Sequence, residues 1–481
     1  MAGRFPVFGK RVRVGARGCS YARRVASGDL ESVVAELQLT VVRLTGALAD
    51  RDARIVELVR LLEESRRSGK RQAAPFRKGD PVTDPKAPGR KRGGLHGRHA
   101  HRLPPPDPDR TLDALLPVCC PHCGGGVVHE RDADQFQTDL PALPPPATTR
   151  FRVQIGRCTS CGRRVQGRHR EQTSDALGAA GAQVGPHAKA WAAWMHYSLG
   201  IPFAKIARFF TDRLGLTVTA GALCQAGQTT STALVPVTSQ IRERINTSAM
   251  VVMDETGWRV NARTTWVWIA TTADVTAYTV APGRSFTDAT ILVDPGFDGT
   301  LVHDGWIVYD QFEQATHQTC LAHLVGRADE LIESLPAAHR GTPRYVRQLL
   351  GEALAARDGT ETERCDTVVD LTERVELLAQ RRHPHDENRK LVAHLHRNIG
   401  APFTFLTDPT IDATSWRAEQ GIRPTTVTRK VCGGNRSDRG ALTQGRMMTL
   451  FRTASQQGID AVDYLVNLAR APDPSATAFF T

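Results

Sequence analysis

The segment from Ala249 to Cys320 restricts the fold most, because its apolar residues form strand-length runs separated by turns. Three successive runs, AMVVMD, TTWVWIA and VTAYTVA, are spaced as an antiparallel meander. A helix is then predicted near Ser285–Val293, followed by a strand in GTLVHD and a short strand near Thr316–Cys320. This order predicts an α/β domain built around a mixed sheet.

Two acidic residues follow apolar runs of this segment, Asp254 in VVMDETGW and Asp304 in TLVHDGW. Three antiparallel strands, a helix and a fourth strand are the order of a ribonuclease H-like domain, in which the ends of strands one and four lie side by side. We therefore expect Asp254 and Asp304 to meet at the ends of their strands. Residues 321–398 are predicted as inserted helices, and a third carboxylate, Glu419 in SWRAEQGIRP, follows on a further helix.

Carboxylates on two strands and a helix suit two Mg²⁺ ions about 3.5–4 Å apart, which clamp the attacking and leaving oxygens of a phosphodiester. A single Asp at a strand end is, however, more often a cap or turn residue. Other acidic residues also lie nearby: Glu255, Asp294, Asp298, Asp310, Asp408 and Asp412. On the residues alone, a metal site and a set of structural carboxylates both remain open.

The formal charge of +12 comes from the N-terminal quarter of the 481 residues. Residues 1–110 hold 24 Lys and Arg against 12 Asp and Glu, and the rest of the chain holds 38 of each. A basic arm on a neutral body predicts a polyanion partner, although a solvated tail would have the same composition. Within the Pro- and Gly-rich linker 65–110, the run Arg90, Lys91 and Arg92 is a candidate DNA-phosphate contact.

A heptad pattern precedes this linker. Apolar residues from Leu30 to Leu62 alternate at spacings of four and three, and only Arg51 breaks the pattern. The pattern predicts a coiled coil over 29–64 and a homo-oligomer, with an amphipathic helix packed on its own domain as the alternative. Residues 1–28 show no periodicity and are predicted to be disordered.

Four of the ten cysteines form two CxxC pairs, in CCPHCGG and CTSCGR. Each pair places two thiolates on a tight turn that the following Gly permits. The pairs therefore predict a small zinc-ribbon-like domain over 111–170 with a structural zinc ion held by Cys120, Cys123, Cys158 and Cys161. A separate CxxH, Cys320 and His323, is interpreted as a packing element at a helix start in preference to a metal site.

Residues 171–245 are predicted to be helical. HAKAWAAWMHYSLG and IPFAKIARFFTDRLG are followed by a helix capped by Thr219, an order typical of a helix-turn-helix but also of a plain bundle. Residues 431–481 are predicted as a C-terminal helical tail. No apolar run reaches the ~20 residues of a membrane span, and no secretory signal is evident, so we expect a cytoplasmic protein without a membrane partner.

Taken together, the motifs resemble the DDE transposases of the insertion-sequence 66 family. The catalytic-half motifs are MDETGWRV, HDGW with Tyr309, CLAHLVGR, WRAEQGIRP and RKVCGGNRSDRGA. The order before them, a coiled coil, a basic linker, CPHCGG…CTSCG and LGIPFAKIARFF, is also similar. The resemblance spans roughly residues 30–470.

The resemblance implies a ribonuclease H-like catalytic domain over 246–430, with a helical insertion at about 321–410. It implies a triad of Asp254, Asp304 and Glu419 that uses Mg²⁺ or Mn²⁺ to cleave and join DNA at the inverted-repeat ends of an insertion sequence. It also implies end recognition by the N-terminal half and accessory proteins of the same element. Residues expected to hold DNA phosphates are Arg423, Arg429, Lys430, Asn435 and Arg436. Arg423 has the alternative role of pairing with Glu419.

One departure from the family pattern lies just before the third carboxylate. Thr414, Ser415 and Trp416 stand where the family commonly has Thr-Asn-Asn, which leaves the target preference open. Two other functions compete with the transposase interpretation. One is a catalytically inactive or repurposed sequence-specific DNA-binding protein, and the other is a ribonuclease H-type nuclease or resolvase acting on structured nucleic acid.

Overall fold

The computed structural model describes residues 38–46, 105, 107–141, 143–473 and 477–480. The chain divides into two compact units, Met1–Thr111 and Leu112–Thr481. In the first unit residues 38–46 are helical. Segment 1–28, most of the predicted coiled coil and nearly all of the basic linker lie outside the described residues.

The second unit begins with residues that form neither helix nor strand, followed by a small antiparallel hairpin and a set of helices. The hairpin strands are β1 (Ile155–Arg157) and β2 (Arg164–Gln166). The helices are α1 (Pro186–Ala193), α2 (Phe203–Leu214), α3 (Ala220–Ala233) and α4 (Val235–Asn246). The Thr219 hydroxyl accepts a hydrogen bond from the Ala222 N–H, which confirms the predicted cap of α3.

A five-stranded mixed sheet forms the centre of this unit, and this confirms the predicted α/β class. Its strands are β3 (Met250–Val260), β4 (Arg263–Thr271), β5 (Thr276–Ala281), β6 (Thr300–His303) and β7 (Thr316–Thr319). They lie in the order β5-β4-β3-β6-β7. Strands β3, β4 and β5 form an antiparallel meander, and β6 runs parallel to both β3 and β7.

Strand β3 is longer than its sequence pattern predicts, so the expectation that it ends at Asp254 was wrong. It continues to Val260 and returns as β4 through Asn261 and Ala262, which have φ angles of 50° and 63°. Two central residues with positive φ are typical of a type I′ hairpin turn. Trp258 and Val260 are buried, and this packing sustains the strand beyond Asp254.

The helix predicted near Ser285–Val293 is shorter in the structure. Helix α5 spans Phe286–Ala289 and begins with a capping box between Ser285 and Asp288. The residues after it include β-branched side chains and a proline, TILVDP, which disfavour continuation of a helix.

Eight α-helices follow the sheet in the described part of the chain. They are α6 (Leu321–Ser334), α7 (Gly341–Ala355), α8 (Glu361–Gln380), α9 (Asp386–Arg397), α10 (Thr404–Thr407), α11 (Trp416–Cys432), α12 (Asp438–Gln457) and α13 (Ala461–Arg470). Helices α6 to α10 lie between β7 and α11, where an insertion was predicted. Among the described helices, none is long and apolar enough to cross a membrane.

Each face of the sheet packs against its own hydrophobic core. Val251 and Met253 of β3 join a core with α1, α4, α12 and α13. Val252, which points to the other face, joins a core with α6 to α9 and α11. The segment after residue 430 therefore contributes to the sheet's core through α12, whose Thr449 hydroxyl accepts a hydrogen bond from the Tyr278 N–H at 2.9 Å.

Two adjacent glycines end α11, and they provide a matched test of this packing. Gly433 and Gly434 have φ angles of 76° and 98°. A Cβ on Gly433 would meet open space, whereas a Cβ on Gly434 would overlap the carbonyl oxygen of Arg259. We expect Gly433→Ala to cost about 1–2 kcal/mol through backbone strain, and Gly434→Ala to cost clearly more. Denaturant unfolding of both variants checks this, and equal losses would contradict it.

Candidate active site

Asp254 lies on β3, and Asp304 directly follows the last residue of β6, the parallel neighbour of β3. The ladder between β3 and β6 pairs Val252 with Val302. Asp254 and Asp304 stand two residues further along each chain. Because neighbouring strands lie about 4.8 Å apart and side chains two residues apart share a face, this register brings both carboxyl groups to the face of Val252 and Val302.

Glu419 reaches the same face from the first turn of α11. Its neighbours Ala418 and Ile422 are buried in the core that also contains Val252. Among the described residues, the three carboxylates do not form a group whose ligand oxygens all lie within 4.8 Å of one another. A two-ion site does not require that spacing, because the three carboxylates need not all contact the same ion.

The adjacent carboxylate, Glu255, is bound by other side chains of the protein. It points to the opposite face of β3, where its side chain forms an ion pair with Arg284 and is 2% exposed. The Tyr309 hydroxyl donates a second hydrogen bond to it, at 2.6 Å. Arg284 in turn stacks over the Trp306 ring, 3.9 Å from its centroid. The structure thus separates Asp254 from Glu255, which the sequence left as competing candidates.

Backbone hydrogen bonds orient the two aspartates. One Asp254 oxygen accepts from the Glu255 N–H at 2.8 Å, and Asp304 Oδ1 accepts from the Trp306 N–H at 2.8 Å. Burial, with the negative charges of Glu255 and Asp304 beside it, raises the pKa of Asp254 to about 7. Hard carboxylate oxygens in a cluster with excess negative charge fit a divalent cation such as Mg²⁺ or Mn²⁺.

A second set of groups lies beside Glu419. Cys320, His323 and Glu419 each offer one ligand atom, and the three atoms lie within 4.8 Å of one another. A hydrogen bond with Cys320 raises the pKa of His323 to about 9, with smaller contributions from Asp254 and Asp304. Burial would raise the pKa of Cys320, but hydrogen bonds with His323 and Ser415 outweigh it and lower that pKa.

Two backbone contacts connect the start of α6 to the start of α11. The Ser415 N–H donates to Cys320 Sγ at 3.2 Å, and the Leu321 N–H donates to the Ala413 carbonyl at 2.9 Å. Ser415, in the segment that departs from the family pattern, is buried, whereas Trp416 is exposed. Cys320 and His323 were interpreted from their CxxH spacing as a packing element at a helix start, and the structure brings both within 4.8 Å of Glu419.

The basic and polar residues predicted to hold DNA fall into two groups. Arg423, Lys430 and Arg436 are exposed. The other two hold the end of α11 against β3, because Arg429 donates to the Gly257 carbonyl and Asn435 Oδ1 accepts from Trp258 Nε1 at 2.7 Å.

The alternative role of Arg423 was an ion pair with Glu419. In the described part of the chain, no ion pair joins these two side chains. The basic run Arg90, Lys91 and Arg92 lies outside the described residues.

Each CxxC pair forms a tight turn. The Gly124 N–H donates to the Cys120 carbonyl and the Gly162 N–H to the Cys158 carbonyl, at 2.8 and 2.9 Å. Both glycines have positive φ, of 75° and 70°. Over the described residues, Cys120, Cys123, Cys158 and Cys161 do not converge into one group of ligand atoms within 4.8 Å. Both predicted turns are therefore present, while no three of the four sulfur atoms lie within 4.8 Å of one another in the described residues.

Comparison with known proteins places these residues in a family. The model of the Transposase IS66 family matches residues 181–443, which include Asp254, Asp304 and Glu419. A curated protein of Sinorhizobium fredii, named "Uncharacterized protein y4qI", is 26% identical over 259 residues, which are 47% of this chain and 48% of that protein. The chain thus spans about half the length of that relative. Because the family model matches more than half of the chain, this protein belongs to the IS66 transposase family.

Proposed function

We propose that this protein is a DDE transposase that binds the inverted-repeat ends of an insertion sequence, cleaves a DNA strand there and transfers it to target DNA. Family membership indicates a DNA-processing enzyme, and the strand chemistry is our proposal. One observation carries it: Asp254 on β3 and Asp304 directly after the parallel strand β6 lie close enough to interact electrostatically, beside the sheet face on which the helix of Glu419 packs.

The architecture supports a ribonuclease H-like catalytic domain. Three antiparallel strands are followed by a short helix, and the next two strands run parallel to the first. In the order β5-β4-β3-β6-β7, β3 and β6 are neighbours, although 39 residues separate Val260 from Thr300 in the sequence. This adjacency supports the proposal that two distant sequence motifs contribute to one site.

The three carboxylates, Asp254, Asp304 and Glu419, would hold two Mg²⁺ or Mn²⁺ ions. When bound, such ions lower the pKa of an attacking water or hydroxyl and stabilise the charge that develops on phosphate oxygens. The backbone N–H groups of Glu255 and Trp306 orient one oxygen of each aspartate. The contacts of α11 with the sheet face set the position of Glu419.

The exposed residues Arg423, Lys430 and Arg436 would contact DNA phosphates along α11 and just after it. Arg429 and Asn435 would support them by holding the end of α11 on β3, through the bonds to Gly257 and Trp258. We therefore assign these two residues a positioning part in DNA binding.

The roles of the N-terminal half are proposed from the sequence. Arg90, Lys91 and Arg92 would follow the DNA backbone, and helices within 171–245 would recognise the inverted repeats. The coiled coil over 29–64 would join copies of the chain, as paired DNA ends require. Accessory proteins of the same element would act with it on DNA in the bacterial cytoplasm.

We further propose that the two CxxC turns close on one structural zinc ion. Cys120→Ser should lower the zinc content by about one ion per chain, because a thiolate ligand is lost, and should weaken binding to element ends. Cys119→Ser is the matched control, since it removes the neighbouring thiol and should change neither quantity. Metal analysis and a DNA-binding titration measure both, and equal zinc contents in the two variants would contradict the site.

A cleavage assay tests the proposed function directly. Purified protein is incubated with Mg²⁺ or Mn²⁺ and one of three DNA substrates: a duplex carrying the inverted repeats that flank its reading frame, a random duplex, or a branched DNA. We expect a strand break with a 3′-hydroxyl at the element end and none in the random duplex. Preferred cutting of branched DNA would indicate a resolvase, and binding without any cutting would indicate a DNA-binding protein.

A further inference from the structure

Three side chains of different chemistry converge where α6 and α11 begin. Cys320 Sγ, a His323 ring nitrogen and a Glu419 carboxylate oxygen all lie within 4.8 Å of one another. Tetrahedral zinc with metal–ligand distances of about 2.0–2.3 Å places its ligand atoms about 3.5 Å apart. A contraction of about 1.3 Å at most, from the 4.8 Å limit to about 3.5 Å, therefore brings these three atoms to coordination distance.

The local framework holds this arrangement in place. Cys320 is fully buried, and its backbone N–H donates to the His303 carbonyl at 2.7 Å, next to Asp304. Its sulfur accepts the Ser415 N–H, which anchors the helix that carries Glu419. His323 is exposed, so an ion has access to the site from solvent.

The ligand types select the class of ion. A thiolate, an imidazole and a carboxylate are the mixture that Zn²⁺ and similar transition-metal ions prefer, whereas Mg²⁺ prefers oxygen ligands. Three protein ligands also leave a fourth position open, as in zinc sites that accept water or a substrate.

We propose that Cys320, His323 and Glu419 form a binding site for Zn²⁺ or a related transition-metal ion, distinct from the carboxylate site for Mg²⁺. Both sites use Glu419. A further consequence rests on the proposed function. An ion bound by Cys320 and His323 would draw Glu419 away from the Mg²⁺ site, and Zn²⁺ would therefore inhibit DNA cleavage.

Cobalt substitution tests the site without DNA or catalysis. The full-length protein, with the four CxxC cysteines changed to Ser to remove their contribution, is stripped of metal and titrated with Co²⁺. We expect one ion per chain to bind with a near-ultraviolet thiolate-to-cobalt absorption band. Cys320→Ser should abolish that band, and His323→Gln or Glu419→Gln should weaken Co²⁺ binding at least about tenfold.

Cys365→Ser is the matched control, because it removes an exposed thiol on α8 and should leave the band unchanged. Circular dichroism of each variant checks that it is folded. The His323→Gln variant tests Co²⁺ binding while the buried Cys320 sulfur stays in place. Absence of a thiolate band in the parent, or equal Co²⁺ affinity in Glu419→Gln, overturns the site. Because the band needs no cleavage, this outcome is independent of the cleavage assay.

Discussion

Replacing Asp304 with Asn is expected to abolish DNA cleavage while DNA binding persists. Asn keeps the shape of the side chain and can still accept the hydrogen bond from the Trp306 N–H, so the fold should be unchanged. It removes the negative charge that would hold one metal ion, and such ions stabilise the transition state by several kcal/mol. We expect the nicking rate to fall about a thousandfold or more.

The measurement compares nicking of element-end DNA in Mg²⁺ with a binding titration on the same DNA. Asp298→Asn is the matched control: the same substitution at an exposed position just before β6. It should cleave at the parental rate. Full cleavage by Asp304→Asn would remove Asp304 from the site and with it the proposed mechanism.

Asp254→Asn should stabilise the metal-free protein at pH values above about 7. Burial and the neighbouring Glu255 and Asp304 raise the pKa of Asp254 from 3.8 to about 7. The folded state therefore disfavours the carboxylate form, and this cost to stability appears as the pH rises above about 4 and is complete above about 7. Removing the charge should recover on the order of 4 kcal/mol at pH 8.

Denaturant unfolding in the presence of a chelator at pH 5 and pH 8 measures this effect. The stability gain of Asp254→Asn over the parent should be larger at pH 8, and added Mg²⁺ should reduce it by stabilising the parent. Asp298→Asn, whose side chain is exposed, should give the same small difference at both pH values. If Asp254→Asn were instead less stable than the parent at pH 8, the Asp254 carboxylate would stabilise the fold, which contradicts the prediction.

Local patterns were sufficient for the core of the fold. The alternating apolar runs around Asp254 and Asp304 predicted the strands and the mixed sheet, because a two-residue period is a property of neighbouring residues. The cap of α3 at Thr219 was also predicted correctly, since a capping hydroxyl acts within one turn. The CxxC turns formed for the same reason, through contacts within six residues.

Other features depend on contacts between distant residues. The extension of β3 to Val260 comes from its pairing with β4 and the burial of Trp258. The role of α12 as a core helix follows from its packing on β5, which no local pattern of residues 438–457 specifies. Neither feature was predicted, because both arise from the assembled sheet.

The distinction between the neighbouring carboxylates Asp254 and Glu255 also depends on contacts between distant residues. Sequence motifs identified Asp254 and Glu255 equally as acidic residues, and the family resemblance favoured Asp254. The pairing of Glu255 with Arg284 and Tyr309 on the opposite face makes it structural, and this depends on residues 29 and 54 positions away.

The chain's own pattern determined its strand order, its acidic motifs and its resemblance to a family, because these are properties of residues near one another in sequence. The order of the strands also predicted Asp254 beside Asp304, whereas only the tertiary structure decided which further groups lie beside Glu419. The parallel register of β3 and β6 places Asp254 beside Asp304, and the packing of α6 and α11 brings Cys320 and His323 to Glu419. Burial and long-range pairing set these positions, and they exist only once the sheet and helices have packed together.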